Sequence, residues 1–196
     1  MAEGQLSVDH EVPLEDLVPL AEYTWVARAT DAEGRVYESG PQAFETPAAA
    51  MTEAVTNVAL ATAGTSVTGK SSNWANGPDD GAFGALNAID GVMATEWSSN
   101  GDGDGAWLEL DVGQPRDIVA FGFRSRMMSD GTSIATSVEL VVNGSTRLGP
   151  FATPDHTRLY KFDFAESQLT QHVRLEIRSS TGGNTGAREV QLYSRP

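Results

Sequence analysis

The stretch Val119-Ala120-Phe121-Gly122-Phe123-Arg124 alternates large apolar side chains with small or polar ones. Successive side chains of an extended chain point to opposite faces, so Val119, Phe121 and Phe123 share one face and Ala120, Gly122 and Arg124 the other. The pattern repeats along the chain. Val138, Leu140 and Val142 alternate in the same way, as do Tyr160, Phe162 and Phe164. Val173, Leu175 and Ile177 stand against His172, Arg174, Glu176 and Arg178, and Val190 and Leu192 against Glu189 and Gln191. Clusters of Gly, Asn, Asp and Pro separate these segments, and nothing reads as a long helix. Short amphipathic strands at this spacing predict an all-β chain whose antiparallel sheets pack face to face, a β-sandwich or jelly roll.

The 196 residues allow one full domain and part of a second. Small residues and a proline break the alternation at Thr46-Pro47-Ala48-Ala49-Ala50-Met51-Thr52, which places a linker over 47–56 between a first unit, 1–46, and a second, 57–196. In the first unit Tyr23, Trp25, Ala27 and Ala29 share a face, Asp31-Ala32-Glu33-Gly34 forms a turn, and a strand closes near Gln42–Glu45. Leu14, Leu17 and Pro19 lead into Tyr23 where a sandwich domain places a corner tyrosine. The unit resembles the second half of a fibronectin type III domain. Its 46 residues offer three strands, too few to close a seven-strand sandwich.

Charge narrows the partners. The 27 acidic residues outnumber the 13 basic ones, giving -14, and only Lys70 and Lys161 are lysines. Such a surface repels phosphate backbones and anionic lipid, which argues against nucleic acid and acidic membranes. The absence of Cys excludes disulfides, thiolate metal sites and a Cys nucleophile. No apolar run approaches the roughly 20 residues of a membrane helix, and Met1-Ala2-Glu3-Gly4 lacks the layout of a signal peptide. The expectation is a piece of a longer exported polypeptide, working outside the cell or at its surface and tethered to other domains.

Several blocks carry a more specific signal. Asn57-Val58-Ala59-Leu60-Ala61-Thr62 is followed by Ser71-Ser72-Asn73-Trp74, Ala85-Leu86-Asn87-Ala88-Ile89-Asp90-Gly91, Thr95-Glu96-Trp97-Ser98 and Trp107-Leu108-Glu109-Leu110-Asp111-Val112-Gly113. Arg188-Glu189-Val190-Gln191-Leu192-Tyr193 ends the series. In this order and spacing they resemble a discoidin domain, the coagulation factor V/VIII C-type domain, a galactose-binding-like jelly roll. The resemblance covers about 140 residues and implies a non-catalytic domain that binds polysaccharide or glycan.

Asp90 stands in a tight Asp-Gly turn with Thr95 five residues on, and Glu189 opens the last strand. A sandwich that brings these segments together sets two carboxylates side by side, which is costly without a partner. A hard cation such as calcium, bound by six to eight oxygens, relieves that cost. The resemblance implies a structural calcium held by the side chains of Asp90, Thr95 and Glu189 and the carbonyls of Asn87 and Val92. Asn100-Gly101-Asp102-Gly103-Asp104-Gly105 imitates the start of an EF-hand loop. Its twelfth position is Asp111 in place of Glu, and the residues before it alternate as a strand, so it reads as an acidic loop.

A sugar site needs an aromatic face and a few polar groups. Trp74 lies in a loop of Ser, Asn, Gly, Pro and Asp with nothing to bury against, which makes it the platform candidate; Trp97 and Trp107 read as core or buttress. The resemblance places the ligand at one end of the sandwich, which implies Trp74, Ser99 or Asn100, Arg124 or Arg126, Thr132 and Asn184. An arginine there offers paired hydrogen bonds to vicinal hydroxyls or a uronate. The last loop, Ser179 to Gly186, has no aromatic, which points to a shallow site.

An enzyme is disfavoured because His10, His156 and His172 share no metal-ligand spacing, no Gly-x-Ser-x-Gly motif occurs and Asp79-Asp80 reads as a solvated turn. The alternative is a protein- or membrane-binding discoidin domain of an adhesion protein. It rests on Met127-Met128, read as an exposed apolar pair.

Overall fold

The computed structural model describes residues 22–45 and 54–196. Contacts divide the chain into two units, 1–52 and 53–196. In the first, β1 (Glu22–Trp25) pairs antiparallel with β4 (Gln42–Glu45), and β2 (Arg28–Thr30) with β3 (Val36–Glu38). Asp31 makes the turn between β2 and β3. One of its carboxylate oxygens accepts the N–H groups of Glu33 and Arg35, and the other meets the Arg35 guanidinium at 2.7 Å. Tyr23 stacks on Phe44 across the β1–β4 ladder, with ring centroids 5.8 Å apart. The extended run expected from Tyr23 to Thr30 is broken at Val26 and Ala27, and β3 is a strand that the alternation did not single out. His10, Leu14, Leu17, Pro19 and linker residues 46–53 lie outside the described residues.

The second unit is one hydrogen-bonded ladder folded into two layers. It holds β5 (Thr56–Asn57), β6 (Ser66–Lys70), β7 (Trp97–Ser98), β8 (Trp107–Ser125), β9 (Ala135–Val142), β10 (Thr146–Ala152), β11 (Tyr160–Ser180) and β12 (Gly186–Ser194). One layer runs β10, β9, the second half of β11, the first half of β8 and β6. The other runs the first half of β11, the second half of β8, β12 and then β5, with β7 beside β12. All the pairings are antiparallel. This is the all-β sandwich that the alternation predicts.

The strands β8 and β11 are 19 and 21 residues long and cross from one layer to the other, where the sequence had read two short strands each. Unequal pairing produces the bend. Val112 to Pro115 oppose Gln171 alone, and Phe164 to Ser167 oppose Val119 alone. Extra residues on one strand bend it and increase its twist. Gly113, at φ +80°, makes the β8 corner, and its N–H donates to Asp111 Oδ1 at 2.8 Å.

The core lies between the layers. Leu108, Leu110, Val138, Leu140, Leu175 and Ile177 from one layer meet Phe121, Phe123, Val190 and Leu192 from the other, and all are at most 1% exposed. Ile89 and Trp97, both at 0%, seal the end that carries the loops. Each such side chain contributes about 2 kcal/mol by leaving water. The outer side of β8 is covered as well: a Cβ on Gly122 would stand 3.0 Å from Cβ of Gln191, and Lys161 lies 4.6 Å from the Tyr193 ring.

Candidate ligand cleft and candidate metal centre

The loop after β6 carries Trp74 and is held from several sides. Asp79 Oδ1 receives Lys70 Nζ and Asn73 Nδ2, both at 2.8 Å, and Asn73 Nδ2 also donates to the Gly77 carbonyl at 3.0 Å. Partial burial raises the Asp79 pKa, but hydrogen bonds from Lys70 and Asn73 bring it below the ordinary value. Trp97 Nε1 donates to the Ser72 carbonyl at 3.1 Å, the Asn100 N–H to Ser72 Oγ at 2.8 Å, and the Ala75 N–H to Asn100 Oδ1 at 3.2 Å. Ala75 and Asn76 both sit at φ 54°, a left-handed conformation that costs energy in residues other than glycine. These contacts hold the Trp74 indole out, 48% exposed, with Phe83 (37% exposed) edge-on at 5.5 Å.

Beside the two rings lies an open cleft of about 380 Å³, lined by Trp74, Phe83, Glu96, Ser98, Arg126, Met127, Met128, Ser129 and Asn184. Three residues expected for ligand binding meet here: Trp74, Arg126 and Asn184. Arg126 does not present a free guanidinium. It is 5% exposed, donates from Nε and Nη2 to Glu96 Oε1 at 3.2 and 2.8 Å, and donates from Nη1 to the Asn184 carbonyl. It therefore braces the cleft floor, leaving at most an edge N–H for a ligand. Asn184 Nδ2 points to Met128 Sδ at 3.6 Å.

The other three expected ligand residues lie elsewhere. Asn100 supports the Trp74 loop. Thr132 closes the turn after Met128, with its N–H and hydroxyl on Asp130 Oδ1 at 3.0 and 2.7 Å. Arg124 Nε donates to the His156 carbonyl at 3.1 Å, on the far side of β8 from the core. The β8 strand ends at Ser125, so alternation does not carry Arg124 and Arg126 to one face.

Met127 and Met128 are half-buried and line the same cleft as Trp74, where the sequence had them as an exposed apolar pair. The acidic loop from Asn100 closes against the last loop. Asp102 accepts from the Ser72 hydroxyl, Asp104 accepts from Ser180 Oγ at 2.7 Å, and the Gly103 N–H donates to the Gly183 carbonyl at 2.7 Å. Trp97 is fully buried, while Trp107 lies on an outer face with the Arg174 guanidinium 3.9 Å from its ring centroid.

The second centre lies around Asp90. Gly91, at φ +78°, turns the chain, and the Asp90 carboxylate accepts the Val92 N–H at 2.8 Å. The Thr95 hydroxyl is 2.7 Å from both Asp90 Oδ2 and the Val92 carbonyl. Glu189 of β12 is 0% exposed, and neither of its carboxylate oxygens makes a hydrogen bond. Burial, and then the charge of Asp90, push its pKa up to about 7; the Gly91 amide and Gln191 side chain offset this only in part. Asn87 folds inward, its Nδ2 donating to the carbonyls of Gly81, Ala82 and Glu96. Among the described residues no three Asp, Glu or His side chains converge, so a cation here would depend on hydroxyl and carbonyl oxygens besides two carboxylates.

Two functional residues were missed in the sequence. Phe83 shares the polar loop of Trp74, and the argument that singled out Trp74 applies to it equally. Glu96 sits inside a quoted motif, but nothing local pairs it with Arg126, thirty positions away.

The fold is the galactose-binding-like β-sandwich, and the candidate site is a loop-end cleft on it. The F5/8 type C domain profile matches residues 66–190, and the chain belongs to that family. Among solved structures, the family 32 carbohydrate-binding module of Clostridium perfringens NanJ, in complex with galactose, aligns with TM-score 0.58 at 16% identity over 72% of this chain and 100% of its own. CpGH89CBM32-5, also from Clostridium perfringens and in complex with GalNAc-β-1,3-galactose, aligns with TM-score 0.54 at 24% identity over 65% of this chain and 94% of its own. Chitosan-binding module 1 of a chitosanase/glucanase from Paenibacillus sp. IK-5 gives 0.55 at 18% identity, over 71% and 99%. At these identities the likeness concerns the fold. No curated protein sequence matches the chain.

Proposed function

We propose that the second unit is a non-catalytic carbohydrate-binding module of a larger extracellular or cell-surface protein, with the Trp74 cleft as its glycan site. The observation that carries the reading is Trp74 itself: a half-exposed indole, held out by a strained and tightly hydrogen-bonded loop, at the mouth of a concave cleft. A rigid aromatic face stacks on the apolar side of a pyranose, and the Asn184 amide supplies polar contact at its rim. The solved relatives in complex with galactose and GalNAc-β-1,3-galactose support a glycan as ligand. The first unit, in this reading, is part of a fibronectin type III-like domain that tethers the module.

Calcium at Asp90 and Glu189 belongs to the same proposal. The orphaned, sealed oxygens of Glu189 beside a second carboxylate suit a hard cation, which would neutralise both charges. Asp90, Thr95 and Glu189 would hold it, with the carbonyls of Asn87 and Val92. A second reading, an apolar protein segment in the cleft, is favoured by Met127 and Met128. A glycan array probed with and without calcium, using the wild type and Trp74→Ala, tests the proposal. Binding to a defined glycan that Trp74→Ala abolishes supports it; binding to no glycan refutes it.

A further inference from the structure

Two thioethers face the cleft. Met127 and Met128, just past the end of β8, are half-buried and line it together with Trp74 and Phe83. Most of the polar side chains in the lining are already engaged. Glu96 and Arg126 hold each other, and Ser98 is 1% exposed with its hydroxyl on the Ser99 carbonyl at 3.0 Å. Asn184 differs. Among the described residues its Nδ2 donates only to Met128 Sδ, at 3.6 Å. A thioether sulfur is a weak acceptor, so this amide is held loosely and can turn to a ligand hydroxyl. The state of one sulfur atom therefore decides whether the Asn184 amide is available.

We infer that Met128 is an oxidation site whose sulfoxide turns glycan binding off. The inference rests on the carbohydrate reading above and adds a control to it. A peroxide supplies the oxygen. The Sδ lone pair attacks one peroxide oxygen, the O–O bond breaks, and with hydrogen peroxide a water molecule leaves; sulfur gives up two electrons and the peroxide takes them. The product is polar where the thioether was apolar. Its oxygen is a strong acceptor, one bond beyond an atom already 3.6 Å from Asn184 Nδ2, so a small rotation at the end of the side chain brings the amide N–H onto it. Two losses follow. Asn184 no longer offers its N–H to a sugar hydroxyl, and the cleft wall carries an oxygen that must be desolvated when a pyranose packs on it. Met93 is the contrast. It too is half-buried, but it does not line the cleft, and the group the chain uses there is its backbone carbonyl, which accepts Arg188 Nη1 at 3.1 Å.

The test titrates the full chain onto a glycan array before and after hydrogen peroxide, with each methionine's oxidation read by peptide mass spectrometry and the fold by melting temperature. Peroxide is expected to weaken wild-type binding about tenfold or more, in step with sulfoxide at Met128. Treatment with the two methionine sulfoxide reductases, one for each epimer, is expected to restore it. That recovery separates the sulfoxide from irreversible damage to Trp74. Met93→Leu and Met127→Leu are expected to show the same loss. In Met128→Leu, compared with its own untreated form, the loss disappears. Full binding by protein carrying the Met128 sulfoxide, a loss that persists in Met128→Leu or that the reductases do not reverse, or a loss that tracks unfolding overturns the inference and leaves the carbohydrate reading standing. So does a Met128 that stays reduced while Met93 is oxidised. Binding of the untreated wild type to no glycan overturns both.

Discussion

Arg126 and Glu96 form an ion pair at 2.8 Å whose side chains are only 7% and 14% exposed, and it joins the two candidate centres. Glu96 follows Thr95 of the Asp90 turn and reaches Arg126 in the cleft floor. Its other oxygen faces Arg188 Nη2 at 3.6 Å, next to Glu189, and Arg188 Nη1 donates to the Met93 carbonyl at 3.1 Å. The turn and the cleft are thus built on neighbouring residues of the same two segments.

Removing one partner of a buried pair strands the other. Glu96→Ala is expected to cost about 3–5 kcal/mol of unfolding free energy, read from urea denaturation. Replacing both residues with apolar ones of similar size, Glu96→Leu with Arg126→Met, is expected to lose less than Glu96→Ala alone. Equal losses would show that the pair is not the unit that matters.

Glu189 sets a pH dependence with a defined sign. Its carboxyl titrates near 7 in the folded chain against 4.5 in the unfolded one. Without calcium the folded state therefore holds the proton more tightly, and stability falls as pH rises from about 4.5 to 7, by on the order of 3 kcal/mol. Asp90, whose charge faces Glu189, contributes to the effect. Thermal melts in chelator should show this fall, Glu189→Gln should flatten it, and calcium should reverse it by favouring the ionised carboxylates. An identical melting profile with and without calcium above pH 7 would exclude the metal.

The tryptophans should separate by burial. Trp97, fully enclosed, is expected to cost about 3–5 kcal/mol on truncation to Ala. Trp74, half in solvent, should cost about 1 kcal/mol or less. Denaturation midpoints of the two variants check the contrast.

The sandwich could be read from the sequence because its strands alternate against a core, as Phe121 with Phe123 and Leu175 with Ile177 do. Continuity was harder to see. Gly113 and Pro115 look like a turn between strands, yet they lie in a bulge within β8, because a local pattern does not show which residues the partner strand skips. At the candidate centres, the exposure of Trp74 was legible from its polar surroundings, and the approach of Asp90 to Glu189 from turn chemistry and strand order. The role of Arg126 was not. A guanidinium near a strand end looks the same whether it serves a ligand or a buried Glu96, and only the long-range pairing distinguishes them. Arg124 could not be separated from Arg126 in the sequence, because nothing local shows that β8 ends at Ser125, where alternation ceases.

The central claim, that Trp74 carries glycan binding, is tested most directly by titrating a bound glycan into ¹⁵N-labelled protein and following the four tryptophan indole N–H signals. The signal of Trp74 should move on titration while those of Trp25, Trp97 and Trp107 stay in place. Movement of Trp107 or Trp25 with Trp74 unshifted would contradict the account.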